Sequence, residues 1–240
     1  MKNIAVIFAG GTGRRMQAVS KPKQFLELHG KPVIIYTLEL FDNHPQIDGI
    51  AIACLKDWIP YLQKQLDKFG IKKVGIIVEG GESGQQSIYN ALTGVRDTYG
   101  DNCNVLIHDG VRPLISEEVI SQNIMEVNNH GNCITCAPAT ETSLIKNSDG
   151  SFYIPSRSDS LIARAPQTFR LMDILGAHDR LRHENRVNGF IDSASLMNHF
   201  GYKLHTIIGP VENIKITTPS DFFVFRAMIE VHENKQIFGF

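Results

Sequence analysis

The sequence carries almost no net charge, because 24 lysines and arginines are balanced by 25 aspartates and glutamates and leave a formal charge of −1. Proteins that hold a nucleic-acid polymer usually present a clear excess of positive charge. The charge balance therefore argues against a nucleic-acid partner. We expect any cationic chemistry to come from side chains gathered locally, and we expect binding to take place in a pocket.

Long hydrophobic runs are also absent. The apolar run near the N-terminus, residues 4–9, is too short for the core of a signal peptide or for a membrane span. The chain nevertheless has 240 residues, of which 42% are hydrophobic, and this is enough to bury a substantial core. The sequence thus predicts a cytoplasmic protein with no membrane contact, folded as a single domain over residues 1–240.

Cysteines are few: Cys54, Cys103, Cys133 and Cys136 all lie in or beside apolar runs. The spacing of the last two is one that metal sites use. However, their segment is typical of a strand, in which residues three apart point to opposite faces. A second closely spaced pair, which would complete a metal site, is missing. We expect reduced cysteines in the core of an intracellular protein.

What the sequence does contain is a regular alternation of short apolar runs and helical patterns. Strands are predicted at residues 4–8, 49–54, 74–78, 105–108, 133–137 and 203–208. Helices are predicted at residues 33–41, 58–69, 86–98, 117–127, 171–181, 193–200 and from Ser220 or Asp221 to about residue 232. This order indicates an α/β fold with a doubly wound, mostly parallel, Rossmann-like sheet, in which ligands bind at the carboxyl ends of the strands.

The alternation stops between residues 139 and 164. This stretch is polar and contains a turn signal at residues 147–151, flanked by strand-like residues 143–146 and 152–154. It is predicted to form a projecting β-hairpin arm. Because an isolated hairpin is only marginally stable, we expect the arm to pack against the same arm of a second subunit and to make a homodimer. The alternative is a hairpin that lies on its own domain.

The first predicted strand ends in a loop, residues 10–15, that is rich in glycine and basic residues. Backbone amides in such a loop can face phosphate. A dinucleotide fingerprint would need glycine where Met16 stands, and a P-loop would need a Gly-Lys-Ser/Thr sequence that this loop lacks. A glycine turn joined to several cations suits a triphosphate, whereas a solvated basic surface is the alternative. The cations are Arg14, Arg15, Lys21 and Lys23.

Six ordered stretches carry more specific information. They are AGGTGRRM at residues 9–16 with PKQFL at 22–26, EGG at 79–81 with Ser87, HDGVRP at 108–113, APQTF at 165–169, DSAS at 192–195 and NIKITTPSD at 213–221. Together they resemble the motifs of the cytidylyltransferases that activate small polyol phosphates. These enzymes are the 2-C-methyl-D-erythritol 4-phosphate cytidylyltransferases of isoprenoid synthesis and the ribitol 5-phosphate cytidylyltransferases of teichoic acid or capsule synthesis. The resemblance covers the whole chain and implies a Rossmann-like fold of nucleotidyltransferase type.

The resemblance implies a reaction in which a phosphate oxygen of the polyol substrate attacks the α-phosphorus of CTP and releases pyrophosphate. Because charge builds up on the phosphoryl oxygens, catalysis should depend on positioning and on cations. By resemblance, Arg15, Lys23 and Lys215 are these catalytic cations. Asp109 ends a predicted strand and is expected to hold Mg²⁺ against the phosphates, the alternative being an ordinary turn or cap aspartate.

The resemblance also assigns the residues that bind the two substrates. The nucleotide-binding residues are Ala9, Gly10, Gly11, Gly13, Gly80, Gly81, Glu82 and Ser87. The acceptor-binding residues are Arg112, Thr142 and Arg157. Arg157 would enter the site of the neighbouring subunit, and without this exchange it would be a surface arginine. Glu82 and Ser87 have a second interpretation as caps of the following helix, and His108 receives no catalytic role.

Some positions depart from the family pattern or bear on the choice of substrate. Many members have an arginine near the position of Gly84, and Ala165 and Ile191 replace threonines. Val111 and Trp58 resemble the ribitol branch, so ribitol 5-phosphate is the preferred acceptor and 2-C-methyl-D-erythritol 4-phosphate the alternative.

Two other functions agree less well with the sequence. A nicotinamide-dependent dehydrogenase would need a third loop glycine and an acidic residue at the end of the next strand, and the sequence has neither. A non-catalytic nucleotide sensor has no transition state to stabilise. The presence of Arg15, Lys23, Asp109 and Lys215 together therefore favours the enzyme.

Overall fold

The computed structural model describes residues 1–11, 21–184 and 189–238, and for residues 235–238 it describes the backbone only. Its strands are β1 (Lys2–Ala9), β2 (Glu27–Leu28), β3 (Lys31–Pro32), β4 (Gly49–Cys54), β5 (Val74–Glu79), β6 (Cys103–Asp109), β7 (Asn132–Pro138), β8 (Ile145–Lys146), β9 (Phe152–Tyr153), β10 (Leu161–Arg170) and β11 (Thr206–Ile208). Its helices are α1 (Val33–Asn43), α2 (Ile59–Phe69), α3 (Gly84–Tyr99), α4 (Glu117–His130), α5 (Leu171–His183), α6 (Ser193–His199) and α7 (Pro219–Phe238).

Seven strands form one central sheet in the order β11-β7-β10-β6-β1-β4-β5. All neighbours in this sheet run parallel except β10, which is antiparallel to both β6 and β7. One face is covered by α3, α5 and α6, and the other by α1, α2 and α4. The prediction of a doubly wound, mostly parallel sheet is therefore confirmed.

The strand β1 lies inside the sheet and pairs with β4 on one side and β6 on the other. Its residues Ile4, Ala5, Val6 and Ile7 are all fully buried. Ile4 and Val6 belong to the core on the α3 face, whereas Ala5 and Ile7 belong to the core on the α1 face. Because helices cover both faces, the strand is an unbroken apolar run instead of an alternating one.

The strand β10 was not predicted. Its first residues, 161–163, pair with β7. After an irregularity, residues 167–170 pair with β6 and residues 167–169 pair also with β7. Proline within a strand normally argues against a place inside a sheet, and Pro166 lies in the irregularity where the regular pairing is interrupted. The arm predicted at residues 139–164 thus ends inside a strand of the central sheet.

The predicted hairpin within the arm is present. The strands β8 and β9 pair antiparallel, with Ile145 opposite Tyr153, and Asn147 and Ser151 close the turn through a 2.8 Å backbone hydrogen bond. Phe152 and Ile154 are 57% and 62% exposed. Large apolar side chains of the hairpin therefore face solvent in a single chain.

Other differences from the predicted elements are small. The strand expected at residues 203–208 is confined to Thr206–Ile208, and the last helix begins at Pro219. A short hairpin of β2 and β3, with left-handed backbone at His29 and Gly30, was not predicted. None of the described helices is both long enough and apolar enough to cross a lipid bilayer.

The four cysteines are buried and free. Burial raises the pKa of the Cys54 and Cys133 thiols to about 12. These thiols are therefore protonated at neutral pH, as expected for core cysteines.

Candidate active site

A cavity of about 540 Å³ opens at the carboxyl ends of β1, β5 and β6. Open α/β sheets place their ligand sites in such a crevice. The described lining residues are Phe8, Ala9, Gly10, Gly11, Lys23, Gln24, Leu55, Gly81, Glu82, Ser83, Gly84, Ser87, Asp109, Val111, Lys215 and Thr217. Residues from four of the six sequence motifs thus line one cavity. Gly13 and Arg15, which were also predicted for this site, lie outside the described residues.

The loop after β1 is held by Gln24. The Gln24 side chain is almost fully buried, and its Nε2 donates to the carbonyl oxygens of Ala9 at 2.6 Å and Gly11 at 3.3 Å. Gln24 lies in a short 3₁₀ helix, Lys23–Phe25, so the same turn places Lys23 in the cavity wall. Lys23 Nζ also donates to the Ile216 carbonyl at 3.2 Å, which ties the turn to the C-terminal motif.

Lys21 has a different environment from Lys23. Its Nζ lies 2.5 Å from Glu27 Oε1 and donates to the Tyr61 hydroxyl at 3.0 Å. Burial alone would lower the pKa of Lys21, but the hydrogen bonds with Glu27 and Tyr61 outweigh this effect and raise it. Lys21 is therefore tied to Glu27 and Tyr61 and is not among the described residues that line the cavity.

The loop after β1 and the segment after β5 touch through glycines. A Cβ built on Gly80 would lie 3.2 Å from the Cα of Gly10, and one on Gly10 would lie 2.8 Å from Ser87 Oγ. The Ser87 hydroxyl accepts from the Gly81 amide at 3.0 Å and donates to the Ser83 carbonyl at 2.9 Å. Ser87 thus fixes the shape of the segment at residues 81–83, and the glycines allow the two backbones to approach.

The cap of α3 is Ser83, whose side chain accepts from the Gln86 amide at 3.1 Å. The structure therefore gives the capping role, which the sequence left open for Glu82 and Ser87, to a different residue. Glu82 is exposed and lines the cavity beside Gly81 and Gly84. Its carboxylate is available to a ligand in that cavity.

Asp109 is the buried charge of the site. Its Oδ1 lies 2.5 Å from Lys215 Nζ, and its Oδ2 accepts from Arg112 Nε at 3.1 Å. Burial alone would raise the pKa of Asp109, but the Arg112 guanidinium and the Lys215 ammonium outweigh this effect and hold it at about 2. Asp109 is therefore ionised at neutral pH. The Lys215 side chain is 40% exposed and lines the cavity, which leaves it accessible to a ligand.

Arg112 was predicted to bind the acceptor, and in this structure its side chain contacts Asp109. It is buried, and besides its bond to Asp109 its Nη1 donates to the Asn213 carbonyl at 2.7 Å. The same carbonyl accepts from Arg164 Nη1 at 2.8 Å. Arg112 is not among the described residues that line the cavity. Sequence reasoning did not identify the contribution of Asn213, which lies 101 positions from Arg112.

His108 supports the turn that follows β6. Its Nε2 donates to the Arg112 carbonyl at 3.0 Å. Complete burial lowers the pKa of His108 to about 4, so the imidazole is neutral at physiological pH. This position fits the expectation of no catalytic role for His108.

Thr142 and Arg157 lie on the arm and are not among the described residues that line the cavity of their own chain. Both are exposed, and Arg157 Nη1 donates to the Thr140 carbonyl at 3.3 Å. The structure therefore does not bring these two residues together with Asp109 within the described single chain.

Gln167 joins β10 to the start of α6. Its Nε2 donates to Asp192 Oδ2 at 2.8 Å, and its Oε1 accepts from the Ala194 amide at 2.9 Å. Asp192 caps α6 and forms a capping box with Ser195. Ile191, one of the departures from the family pattern, directly precedes Asp192, and its side chain is fully exposed.

Within the described parts of the chain, no cluster of three or more His, Cys, Asp or Glu side chains is arranged to hold a metal ion. Among the described residues that line the cavity, Asp109 and Glu82 are the carboxylates, and Asp109 lies beside Lys215.

The sequence is similar to known proteins over nearly its whole length. Residues 3–231 match the family described as IspD, 2-C-methyl-D-erythritol 4-phosphate cytidylyltransferase. A protein of Vibrio parahaemolyticus named ribitol-5-phosphate cytidylyltransferase is 51% identical over 99% of this chain and 100% of its own length. A Streptococcus agalactiae protein of the same name is 45% identical over 100% of both chains. A Clostridium botulinum protein named 2-C-methyl-D-erythritol 4-phosphate cytidylyltransferase is 36% identical over 95% of this chain and 98% of its own.

Solved structures agree with the sequence similarity. The 4-diphosphocytidyl-2C-methyl-D-erythritol synthase of Anaerococcus prevotii superposes with a TM-score of 0.81 at 26% identity, over 95% of this chain and 96% of that chain. The Francisella tularensis 2-C-methyl-D-erythritol 4-phosphate cytidylyltransferase gives a TM-score of 0.75 at 27% identity, over 93% and 97%. The chain therefore belongs to the IspD family of cytidylyltransferases and is a nucleotidyltransferase enzyme.

Proposed function

We propose that the protein transfers CMP from CTP to D-ribitol 5-phosphate, producing CDP-ribitol and pyrophosphate. The observation that carries this proposal is the single cavity in which Lys23, Lys215 and ionised Asp109 meet the glycine segments after β1 and β5. The choice of acceptor is supported by the two relatives named for ribitol 5-phosphate, which are 51% and 45% identical, against 36% for the relative named for methylerythritol phosphate.

The proposed chemistry is the displacement of pyrophosphate. An oxygen of the acceptor phosphate forms a bond to the α-phosphorus of CTP, while the bond from that phosphorus to the bridging oxygen of pyrophosphate breaks. Lys23 and Lys215 neutralise the charge on the phosphoryl oxygens from two sides, and Arg15 joins them by family resemblance. Their role is electrostatic, so none of them has to change its protonation state.

The nucleotide is proposed to lie along the two glycine segments. Ala9, Gly10, Gly11 and Gly13 would contact the triphosphate, and Gly80, Gly81, Glu82 and Ser87 would hold the cytosine. The contact between Gly10 and Gly80 supports this arrangement, because it brings the two segments side by side at one cavity.

We also propose that Asp109 holds Mg²⁺ together with the phosphates of CTP. The donor set fits this ion, because Asp109 is ionised and each of its oxygens contacts one cation and keeps a further lone pair. Mg²⁺ is commonly held by one or two carboxylates plus substrate phosphates, so a full cage of protein ligands is not required. A bound Mg²⁺ would supply charge neutralisation at the phosphates.

The acceptor site is proposed to be completed by a second subunit. Thr142 and Arg157 lie on the exposed arm, and the apolar hairpin beside them offers a surface for a homodimer. Arg112 would then act mainly by holding Asp109 in place. The free, buried cysteines fit a reducing compartment, and we place the enzyme in the cytoplasm.

Pyrophosphate release tests this proposal directly. The protein is incubated with CTP and Mg²⁺ and with D-ribitol 5-phosphate, with 2-C-methyl-D-erythritol 4-phosphate, or with no acceptor. We expect turnover with the ribitol compound. Selective turnover of the erythritol compound would support the second candidate, for which the family is described. CTP binding without turnover of either compound would favour a nucleotide sensor.

A further inference from the structure

A chain of polar side chains lies directly behind the segment after β5. Arg182 on α5 donates through Nη2 to Gln86 Oε1 on α3 at 2.7 Å. Gln86 Nε2 donates to Asn90 Oδ1 at 2.6 Å, and Asn90 Nδ2 donates to the Glu79 carbonyl at 3.0 Å. The amide of Gln86 is therefore held from both sides, by a cation from α5 and by a side chain that is anchored at the end of β5.

Gln86 is in close contact with the cavity wall. A Cβ built on Gly81 would lie 2.0 Å from Gln86 Cγ and 2.5 Å from Gln86 Cβ, so the Cα of Gly81 rests against this side chain. Gly81 itself lines the cavity, and its amide donates to Ser87. The rotamer of Gln86 thus affects the position of Gly81.

Arg182 is well fixed for a residue near the surface. Its guanidinium lies 3.7 Å from the centre of the Tyr89 ring, and the Tyr89 hydroxyl donates to Asp179 Oδ1 at 3.0 Å. A partly buried, stacked guanidinium loses less freedom on forming a bond than an exposed side chain does. A hydrogen bond from such a charged donor is also stronger than one between neutral groups.

We infer that Arg182 is a positioning residue for nucleotide selection, which acts through Gln86 on Gly81. The inference rests on the proposed function, in which the segment around Gly81 holds the cytosine. Cytosine and uracil differ in their hydrogen-bonding groups at positions 3 and 4, and fixed backbone groups can separate them only while the backbone stays in place. Arg182 supplies that rigidity from the second layer of the site.

The test compares kcat and KM for CTP and UTP, with saturating acceptor, in the wild type and in four variants. Arg182→Met removes the charge and the bond to Gln86, and we expect about a tenfold fall in the CTP-to-UTP ratio of kcat/KM, mainly through KM for CTP.

The other variants separate the causes. Arg182→Lys keeps a cation near Tyr89, so its CTP-to-UTP ratio should lie between those of Arg182→Met and the wild type. Gln86→Met keeps the methylene contact with Gly81 and should lower the ratio to a similar extent. Arg180→Met, on the same helix but facing Phe200, is the matched control and should leave the ratio unchanged.

The double variant Arg182→Met/Gln86→Met decides whether the two residues act together. Because Arg182 acts through Gln86, the double variant should lose no more discrimination than Gln86→Met alone. If CTP turnover persists, additive losses of CTP-to-UTP discrimination in the double variant would overturn the inference. A wild-type CTP-to-UTP ratio in Arg182→Met would overturn it as well. An unmodified protein that does not turn over CTP would instead overturn the proposed function. Far-ultraviolet circular dichroism checks the folding of each variant, and Gln86→Met keeps the test open if Arg182→Met is unstable.

Discussion

Asp109 is a buried carboxylate between two cations of different exposure. The Arg112 side chain is 10% exposed and the Lys215 side chain 40% exposed. Arg112 is thus a permanent structural partner, whereas Lys215 can share its charge with a ligand in the cavity. This division of roles explains how one carboxylate can be ionised, buried and still available at the cavity wall.

The lowered pKa of Asp109 predicts a specific dependence of stability on pH. The folded pKa of about 2 lies below the ordinary value of 3.8, so the unfolded chain binds the proton more tightly. The stabilisation is therefore present above pH 3.8 and is lost as the pH falls towards 2. The size of this stabilisation is about 2 kcal/mol by linkage.

Urea unfolding measures the free energy of unfolding at pH 5 and pH 3. The difference between the two pH values should be smaller in Asp109→Asn than in the wild type, and Asp67→Asn, which alters an exposed residue, serves as control. Equal pH effects in all three proteins would contradict the assignment.

Lys215→Met should remove a cation that meets the reacting phosphates. Loss of one preorganised group of this kind commonly lowers kcat about a hundredfold to a thousandfold. Folding should be retained, because Asp109 keeps its contact with Arg112. Pyrophosphate release and CTP binding are measured for this variant and for Lys72→Met, which alters an exposed lysine. A near-normal kcat would exclude Lys215 from the mechanism.

The sequence identified residues that follow strands, but not the bonds between distant segments. Lys23, Asp109 and Lys215 were predicted and do line one cavity. The role of Gln24 was missed, although it lies beside Lys23, because its bonds go to main-chain carbonyls that a sequence motif does not reveal. Arg112 also donates to the Asn213 carbonyl, and only the folded chain brings these two residues together.

The loop after β1 and the segment after β5 form a single element through the contact of Gly10 with Gly80 and Ser87. Ser87 belongs to the first turns of α3, so the helix sets the position of both backbones. A side chain at position 10 would push this arrangement apart.

Gly10→Ala is therefore expected to lower the free energy of unfolding by about 1–3 kcal/mol, as overpacking of a tight contact does. Gly11→Ala is the stability control, because a Cβ there meets no described atom within 4 Å. Urea denaturation measures both variants. Ser87→Ala should lower the free energy of unfolding less in the Gly10→Ala variant than in the wild type, because it removes the atom that lies 2.8 Å from the new Cβ. Additive losses of unfolding free energy, or equal stability of Gly10→Ala and Gly11→Ala, would argue against this contact.

The strands and helices that flank β1 could be predicted because each one has a single, regular pattern. β4 was predicted with its observed bounds, Gly49–Cys54, since all its residues are buried and apolar or small. β10 could not be predicted, because Arg164, Pro166 and Gln167 interrupt its apolar pattern. Its place between β6 and β7 depends on an antiparallel pairing that local sequence does not specify.

At the scale of the whole molecule, most of the proposed nucleotide residues line the cavity of one chain, whereas the arm residues are not among its described lining residues. Lys23 lies in the cavity wall, whereas Arg157 is exposed on the arm. The arm itself carries exposed apolar side chains, among them Phe152 and Leu144, which are 57% and 60% exposed. A second subunit would cover these side chains and could at the same time bring Arg157 to the acceptor.

Mixing two inactive variants tests this exchange of arms. Lys23→Ala removes a catalytic cation from a subunit's own cavity, and Arg157→Ala removes the acceptor contact that the subunit gives to its neighbour. Each homodimer should have low activity. In a heterodimer, the cavity of the Arg157→Ala subunit keeps Lys23 and receives Arg157 from the other arm, so one site is complete.

After equal amounts of the two variants are unfolded, mixed and refolded, half of the dimers contain one subunit of each variant. Activity should recover to about a quarter of the wild-type value, because one of the two sites in each such dimer is complete. Pyrophosphate release with ribitol 5-phosphate measures the recovery, and size-exclusion chromatography verifies the dimer. If Arg157 served its own chain, the mixed dimers would contain no complete site and mixing would restore nothing.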